Sequence, residues 1–271
     1  MFRALTIAGS DSCGGAGIQA DLKSFSANGV YGMSVITAIT AQNTMGVFGI
    51  QDINPEMIES QIDVIFDDIR VDVIKIGMVS KIESINAISR SLRKIQVLPK
   101  IVLDPVMISK SGFNLLSKDA KDTLVKELFP LATLVTPNLP EAEEILGIEI
   151  KTLDDMKTAA LKLKELGPKA VLVKGGHLEG EATDLLFDGK EFIILPQERI
   201  NTTHTHGTGC TLSSAIAANL AKNMTIEEAV REGKRYITCA IEHGFELGKG
   251  VGPTNHFYEL YKKAGIYLIV P

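Results

Sequence analysis

The sequence predicts an α/β protein: a doubly wound, mostly parallel central sheet flanked by helices, with an antiparallel hairpin at its edge. Three observations predict it. Short runs rich in Ile, Val, Leu and Thr alternate with longer stretches patterned at the helical period, the order that parallel strands and helical crossovers require. Several of those runs are apolar on both faces, as strands covered by helices on each side must be. Leu185-Leu186-Phe187, Asp188-Gly189 and Phe192-Ile193-Ile194-Leu195 together have the pattern of a hairpin with a primed turn.

Along the chain, the first strand is Ala4 to Ala8. It leads into a glycine-rich loop, Gly9 to Gly17, that opens a helix. Val35 to Ala41 is the second strand. Asn54-Pro55 supplies an N-cap and a proline at the first helical position, and Ile58, Ile62, Ile65 and Phe66 then line one helical face. Strands follow at Val73 to Ile76, Ile101 to Leu103, Leu134 to Thr136 and Ala170 to Val173. Thr152 with Asp155 and Thr225 with Glu228 have capping-box spacing, and Gly167-Pro168 stops a helix before the strand at Ala170. After Asn201 the chain is nearly all helix. No linker, repeat or low-complexity segment interrupts it, so residues 1–271 are expected to form one domain.

Composition narrows the function classes. Hydrophobic residues make up 45% and charged residues 23%, a globular balance that excludes disorder. The net charge is −5 with no basic block, so a nucleic-acid or anionic-membrane partner has no electrostatic footprint. The run Leu212 to Ala221 is broken by Ser213, Ser214 and Asn219 and falls far short of the ~20 residues a membrane span needs. Cys13, Cys210 and Cys239 have no C-x-x-C spacing, which fits neither a disulfide framework nor a zinc site. A cytoplasmic protein is the expectation.

Three groups of residues carry chemistry. Gly15-x-Gly17-x-x-Ala20 satisfies the dinucleotide fingerprint, but the strand ends well before it, and no acid stands at the position about 20 residues on that should bind a ribose. A nicotinamide enzyme is therefore disfavoured. The loop is either a turn for close helix–sheet packing or a backbone approach to a small ligand, with Asp11 and Asp21 offering polar contacts. The stretch Thr205-His206-Gly207-Thr208-Gly209-Cys210-Thr211 precedes a helix of small residues. Amides at such a helix start suit phosphate oxygens, and the helix field is expected to lower the thiol pKa of Cys210 and make it a proton acceptor. Cys210 taken alone is as compatible with a small buried hydrophobe.

The third group lies at strand ends, where open α/β sheets bind ligands. It comprises Gln42, Gly77-Met78, Asp104, Asn138 with Glu141, and Lys174. Carboxylate, amide and lysine arriving from separate strands could hold Mg²⁺ and neutralise transferring phosphates, although Asn138 and Glu141 also suit a simple helix start. Lys174 has no glycine loop before it, which excludes a P-loop NTPase. His204 and His206 bracket the anion-binding loop. His177, His243 and His256 have no metal-ligand spacing and are expected to be structural. The glycine-rich stretch from His243 to Pro253 is a cover or a connector.

These segments resemble the ribokinase-like superfamily and, within it, the hydroxymethylpyrimidine and phosphomethylpyrimidine kinases of thiamine biosynthesis. The resemblance runs from Ala8 to about Phe257. It is most specific at Ala8 to Lys23, Tyr31 to Thr44, Thr136 to Glu141, His206 to Ser214 and Gly252 to Phe257. It implies ATP-dependent phosphorylation of an aminopyrimidine, with Gln42 and the Gly9 backbone bonding the ring, Met78 packing on it and Asp21 near its hydroxymethyl group. It further implies an anion hole at Gly207, Thr208, Gly209 and Cys210, with Cys210 at the position of the base. Lys174, Asn138 and Asp104 would serve ATP, and Glu141 with Asp104 would serve Mg²⁺. A flap from Val106 to Gly112 would cover the site, with Val106 at the substrate, and members are usually homodimers. The alternative on the same fold is a pyridoxal or pyridoxine kinase, against which the Gln42 amide argues because it suits an aminopyrimidine edge. A non-catalytic binder of the pyrimidine is the alternative from another class.

Overall fold

The computed structural model describes residues 1–107, 116, 119–176 and 181–266. Its strands are β1 (Arg3–Asp11), β2 (Tyr31–Asn43), β3 (Gly46–Asp52), β4 (Val73–Ile76), β5 (Lys100–Leu103), β6 (Leu134–Val135), β7 (Ala170–Val173), β8 (Asp184–Phe187) and β9 (Phe192–Leu195). They form one sheet in the order β3-β2-β1-β4-β5-β6-β7-β8-β9. The strands from β2 to β7 in that order run parallel, whereas β3 at one edge and the β8–β9 hairpin at the other are antiparallel. The chain first builds outward on one side of β1 and then crosses to the other, so the order reverses between β1 and β4. A ligand crevice opens at such a reversal.

The helices follow from local signals. In α2 (Pro55–Asp68), Asn54 Oδ1 accepts the Met57 N–H at 2.8 Å, and Ile58 and Ile62 are buried. The capping boxes at Thr152/Asp155 and Thr225/Glu228 start α6 (Leu153–Glu165) and α8 (Ile226–Glu242). A third, formed by Asn138 and Glu141, starts α5 (Leu139–Leu146). Together with α3 (Ile82–Lys94) and α4 (Ala120–Leu128), helices α2, α5 and α6 cover one face of the sheet around Ile74, Ile76, Leu103 and Val135. The other face, with Val73, Val102 and Leu172, packs against α1 (Gly17–Ala27), α7 (Thr208–Ala221) and α8. Helix α7 is buried without a break from Thr211 to Ala221, and a Cβ on Gly233 of α8 would stand 2.6 Å from Ile216 Cγ1. Its small residues are what allow helices and sheet to approach it from all sides. A short helix, α9 (Tyr258–Lys263), closes the described chain. Among the described residues no helix is long and apolar enough to cross a membrane.

The structure departs from the sequence reading in three places. Strand β2 runs on to Asn43 and returns as β3, which was not foreseen. The β8–β9 reversal falls on Gly189 (φ +99°) and Lys190, one position after the expected Asp188-Gly189. Asp188 N–H donates to the Glu191 carbonyl, and Asp188 Oδ1 accepts from the Lys190 and Glu191 amides. Strand β1 extends to Asp11, which shortens the glycine loop.

One polar cluster sits inside the second core. Lys75, in the middle of β4, is fully buried, and its Nζ donates to both Asp21 oxygens at 2.9 Å. Asp21 also accepts from Thr6 Oγ1 and Ser214 Oγ, each at 2.6 Å. The carboxylate thereby ties α1 to β1, β4 and α7. Removing one member of such a pair strands a buried charge. Asp21→Ala should lower unfolding free energy by about 3–5 kcal/mol. Asp21→Leu combined with Lys75→Met should recover most of it, with both read as denaturant midpoints.

Candidate active site

A cleft of about 470 Å³ opens at the carboxyl ends of the central strands, on the reversal between β1 and β4. Each strand end delivers a side chain because the chain leaves the sheet there. β1 delivers Gly9 and Asp11, β2 Gln42, the turn after β4 Met78, the residue after β5 Asp104, the start of α5 Asn138 and Glu141, and the residue after β7 Lys174.

At one end of the cleft lies the start of α7. Gly207 has φ +76°, and a Cβ there would run into the Gly15 carbonyl, so only glycine turns the chain into the helix. The first helical turn leaves the Gly209 and Cys210 amides without a carbonyl within the helix. Facing them, Lys174 Nζ donates to Asp104 Oδ1 at 2.8 Å, and Thr136 Oγ1 donates to the same oxygen at 3.1 Å. A Cβ on Gly209 would stand 3.4 Å from both Asp104 Oδ2 and Lys174 Nζ, which shows how close the helix start comes to the two charges.

The charges set one another. Burial pushes the Asp104 carboxyl up, but Lys174 and Lys75 outweigh it and hold Asp104 below its ordinary range. Burial likewise opposes the Lys174 ammonium, which Asp104 and Glu141 nevertheless keep protonated. Glu141 is pushed up to about 7 by burial, with the Asp104 charge adding to the push and Lys174 opposing it. Its Oε2 accepts the Asn138 N–H at 2.8 Å, while Asn138 Oδ1 accepts the Glu141 N–H at 2.9 Å. The two residues therefore cap α5 and line the cleft at once.

At the other end Gly9, Met78 and Val106 form an apolar wall. Met78 lies over Gly9, where a Cβ would stand 2.6 Å from Met78 Cε, and Val106 also lines this wall. Gln42 sets its amide nitrogen 3.4 Å from His206 Nε2 and its oxygen 3.3 Å from Thr40 Oγ1. His206 in turn stands 2.8 Å from Asp11 Oδ2.

Most residues singled out from sequence meet in this one cleft: Gly9, Gln42, Met78, Asp104, Val106, Asn138, Glu141, Lys174 and Gly207 to Cys210. Asp21 does not. It is sealed beneath the cleft as the counter-ion of Lys75. The Cys210 thiol is not lowered as expected. Burial pushes it up to about 11, with Asp21 and Asp104 adding to the rise and Lys75 and the Gly17 amide opposing it. Loss of solvation and the two carboxylates outweigh Lys75 and the Gly17 amide. Thr208 turns both of its donors, N–H and hydroxyl, onto the Thr205 carbonyl at 3.3 and 2.8 Å. The expected flap lies outside the described residues beyond Met107, as does His177.

The glycine pair of the apparent dinucleotide fingerprint serves close packing. Side chains on Gly15 and Gly17 would strike the His206 ring and the Gly9 carbonyl. His204 packs against Gly252, His243 stacks on Tyr258, and His256 Nε2 lies 3.0 Å from Thr211 Oγ1. The glycine-rich stretch near the C-terminus fastens to the β2–β3 turn, where Val251 N–H donates to the Thr44 carbonyl at 2.9 Å. Sequence reasoning missed Lys75. Its signal was a lysine inside Val73-Ile74-Lys75-Ile76, a run otherwise apolar on both faces.

Residues 11–255 match the family model described as phosphomethylpyrimidine kinase. The chain is 53% identical over 263 residues to the hydroxymethylpyrimidine/phosphomethylpyrimidine kinase of Rhizobium meliloti, covering 96% of this chain and 98% of that one. Among solved structures it is similar to phosphomethylpyrimidine kinase from Clostridium difficile, at 55% identity and a TM-score of 0.79, over 88% of this chain and 98% of that one. It is also similar to an ADP complex of Bacillus subtilis pyridoxal kinase, at 42% identity and a TM-score of 0.88, over 95% and 98%.

The charge arrangement has a direct test. A carboxyl ¹³C titration of the ligand-free protein should show Glu141 ionising near pH 7, protonated below and charged above. Lys174→Met should move that midpoint higher, because it removes the ammonium that favours the carboxylate.

Proposed function

The chain belongs to the phosphomethylpyrimidine kinase family, and on that premise we propose how its cleft performs the transfer. The protein is a phosphotransferase of thiamine biosynthesis. It moves the γ-phosphoryl group of ATP to the hydroxymethyl oxygen of 4-amino-5-hydroxymethyl-2-methylpyrimidine, and a second group to the resulting monophosphate. The observation that carries this reading is a single cleft holding both an apolar wall, Met78 and Val106 beside Gly9, and an open helix start opposite Lys174 and Asp104.

At that wall, Met78 and Val106 pack on the ring while the Gln42 amide and the Gly9 backbone bond its polar edge. This directs the hydroxymethyl group toward Cys210. The Gly209 and Cys210 amides receive the moving phosphoryl oxygens, and such fixed donors contribute several kcal/mol to a transition state because they need no reorientation (about 3–4 kcal/mol for one donor). Lys174 neutralises charge on the phosphates. Asp104 and Glu141 would hold Mg²⁺, with Asn138 keeping Glu141 in place. Two buried carboxylates that raise one another's cost of ionisation, both oxygen donors, fit a hard divalent cation. When bound, that ion offsets the charge of the phosphate oxygens.

Cys210 accepts the hydroxyl proton. A loose transition state needs that proton removed only late, so a strong base present in a small fraction serves. The protein works in the cytoplasm, where ATP is held and its thiols stay reduced. A homodimer would cover the side chains that β2, β3 and their turn leave exposed, Ile39, Met45 and Phe48.

ATP consumption with the pyrimidine and Mg²⁺, with product mass as readout, tests the reaction. A kcat/KM that favours the pyrimidine over pyridoxal is expected, and the reverse order would assign the cleft to the pyridine ring. Cys210→Ala should cut kcat by roughly 10²–10⁴ with the pyrimidine KM retained. Wild-type kcat should rise with pH through the alkaline range as the thiol ionises, and the Ala variant should lose that rise. An unchanged turnover would remove Cys210 from the proton transfer.

A further inference from the structure

We infer that His206, backed by Asp11, is a positioning residue for ring recognition: it fixes which end of the Gln42 amide faces the substrate and thereby helps select the ring. The inference rests on the reading that Gln42 meets the ring, and it goes on to say what holds Gln42 there.

Asp11 is surrounded by donors. Its Oδ1 accepts the Cys13 N–H at 2.8 Å, and its Oδ2 accepts the Gly15 and Ala16 N–H groups at 3.1 and 2.8 Å. Burial pushes the carboxyl up, but His206 and these amides bring it below its ordinary range, so it is a carboxylate and accepts only. His206 Nε2, 2.8 Å from Oδ2, therefore carries a hydrogen and donates it. The ring has no freedom to turn away. It fills the space a Gly15 side chain would need, and its own backbone N–H donates to the Gly252 carbonyl at 3.0 Å.

The structure sets the Gln42 amide nitrogen 3.4 Å from that same Nε2, and a half-turn of the amide exchanges its two ends. A nitrogen there would set two donors face to face, whereas an oxygen would accept the shared hydrogen. The far end gives an independent answer. The structure sets the amide oxygen there, 3.3 Å from Thr40 Oγ1 and competing for the hydroxyl hydrogen that the Ser10 carbonyl takes at the shorter 3.0 Å. With that hydrogen on Ser10 the hydroxyl offers the amide only lone pairs, and this end suits the NH₂. Both neighbours therefore favour the half-turned amide, with oxygen on His206 and NH₂ on Thr40.

The amide thus offers the cleft one N–H and one remaining carbonyl lone pair, side by side. That pair complements a ring edge on which an acceptor nitrogen adjoins an amino group, as in an aminopyrimidine. A pyridine edge with acceptors alone, such as a phenolate beside an aldehyde, leaves the lone pair unmatched, and unmatched buried polar groups discriminate strongly. His206 is accordingly a determinant of ring choice that needs no contact with the ring.

The test compares full-length Gln42→Ala, His206→Leu, His206→Gln, Thr40→Val and the Gln42→Ala/His206→Leu double variant on the pyrimidine, pyridoxal and ATP. His206→Leu should raise the pyrimidine KM about tenfold, the loss expected for one misdirected hydrogen bond. The ATP KM should stay unchanged and the preference over pyridoxal should shrink. His206→Gln, whose NH₂ can donate to Asp11 and Gln42 together, should restore both. Thr40→Val should loosen the other end of the amide with the same signature, which keeps the inference open to test if His206→Leu does not fold. In the Gln42→Ala background, His206→Leu should cost nothing further on the pyrimidine KM. Additive losses in that cycle, or a fall in stability and kcat with selectivity intact, would overturn the inference. An unchanged pyrimidine KM in Gln42→Ala would instead overturn the reading beneath it.

Discussion

A lysine ammonium without solvent contact stands beneath the cleft, and the arrangement above it is referenced to the Lys75–Asp21 pair. A charge buried in β4 must be answered at hydrogen-bond distance, and the answer comes from α1, with Thr6 of β1 and Ser214 of α7 completing the shell of the carboxylate. This fixes how far α1 and α7 stand from the sheet. It also constrains the chain beyond β4, since a Cβ on Gly77 would stand 2.6 Å from Lys75 Nζ. Glycine there brings the next residue, Met78, over Gly9. Met78 in the cleft wall and the amides at the start of α7 are therefore both positioned by one ion pair.

The cleft is held ready by the same economy of partners. Asp104 answers to Lys174 and Thr136, Glu141 to the Asn138 amide, and Asp11 to three main-chain N–H groups. Groups fixed in this way need little rearrangement when charge develops, the condition under which fixed donors contribute most to a transition state. The arrangement also leaves Glu141 protonating close to neutrality, so the charge of the cleft depends on pH through a residue that caps a helix at the same time.

Much of the fold was legible because alternation and two-sided apolar strands are properties of the chain itself, as in Val73 to Ile76 and Ala170 to Val173. Convergence at strand ends made the site legible in turn: Gln42, Asp104, Asn138 and Lys174 follow different strands yet share one cleft. What escaped depends on three-dimensional surroundings. The β3 segment is only half-buried beyond the helical layers, so Gly46 to Asp52 has no clean period of two. Cys210 was judged by the helix that carries it, whereas the depth of its site and two nearby carboxylates decide its protonation. Asp21 follows a glycine loop and looked like a ligand contact, but the partner that claims it comes from 54 positions away. Thr208 directs its N–H and hydroxyl to a carbonyl three residues back, a local turn that its spacing alone does not announce.

Helix α7 offers no face to water along Thr211 to Ala221, and its small side chains are wedged between sheet, α1 and α8. Laboratory diversification of this enzyme will find almost no neutral steps there, since any added methylene meets packed neighbours on whichever side it points. Variation that retunes the chemistry has to be sought in the walls of the cleft and in the outer hairpin, while the axle on which they turn stays untouched.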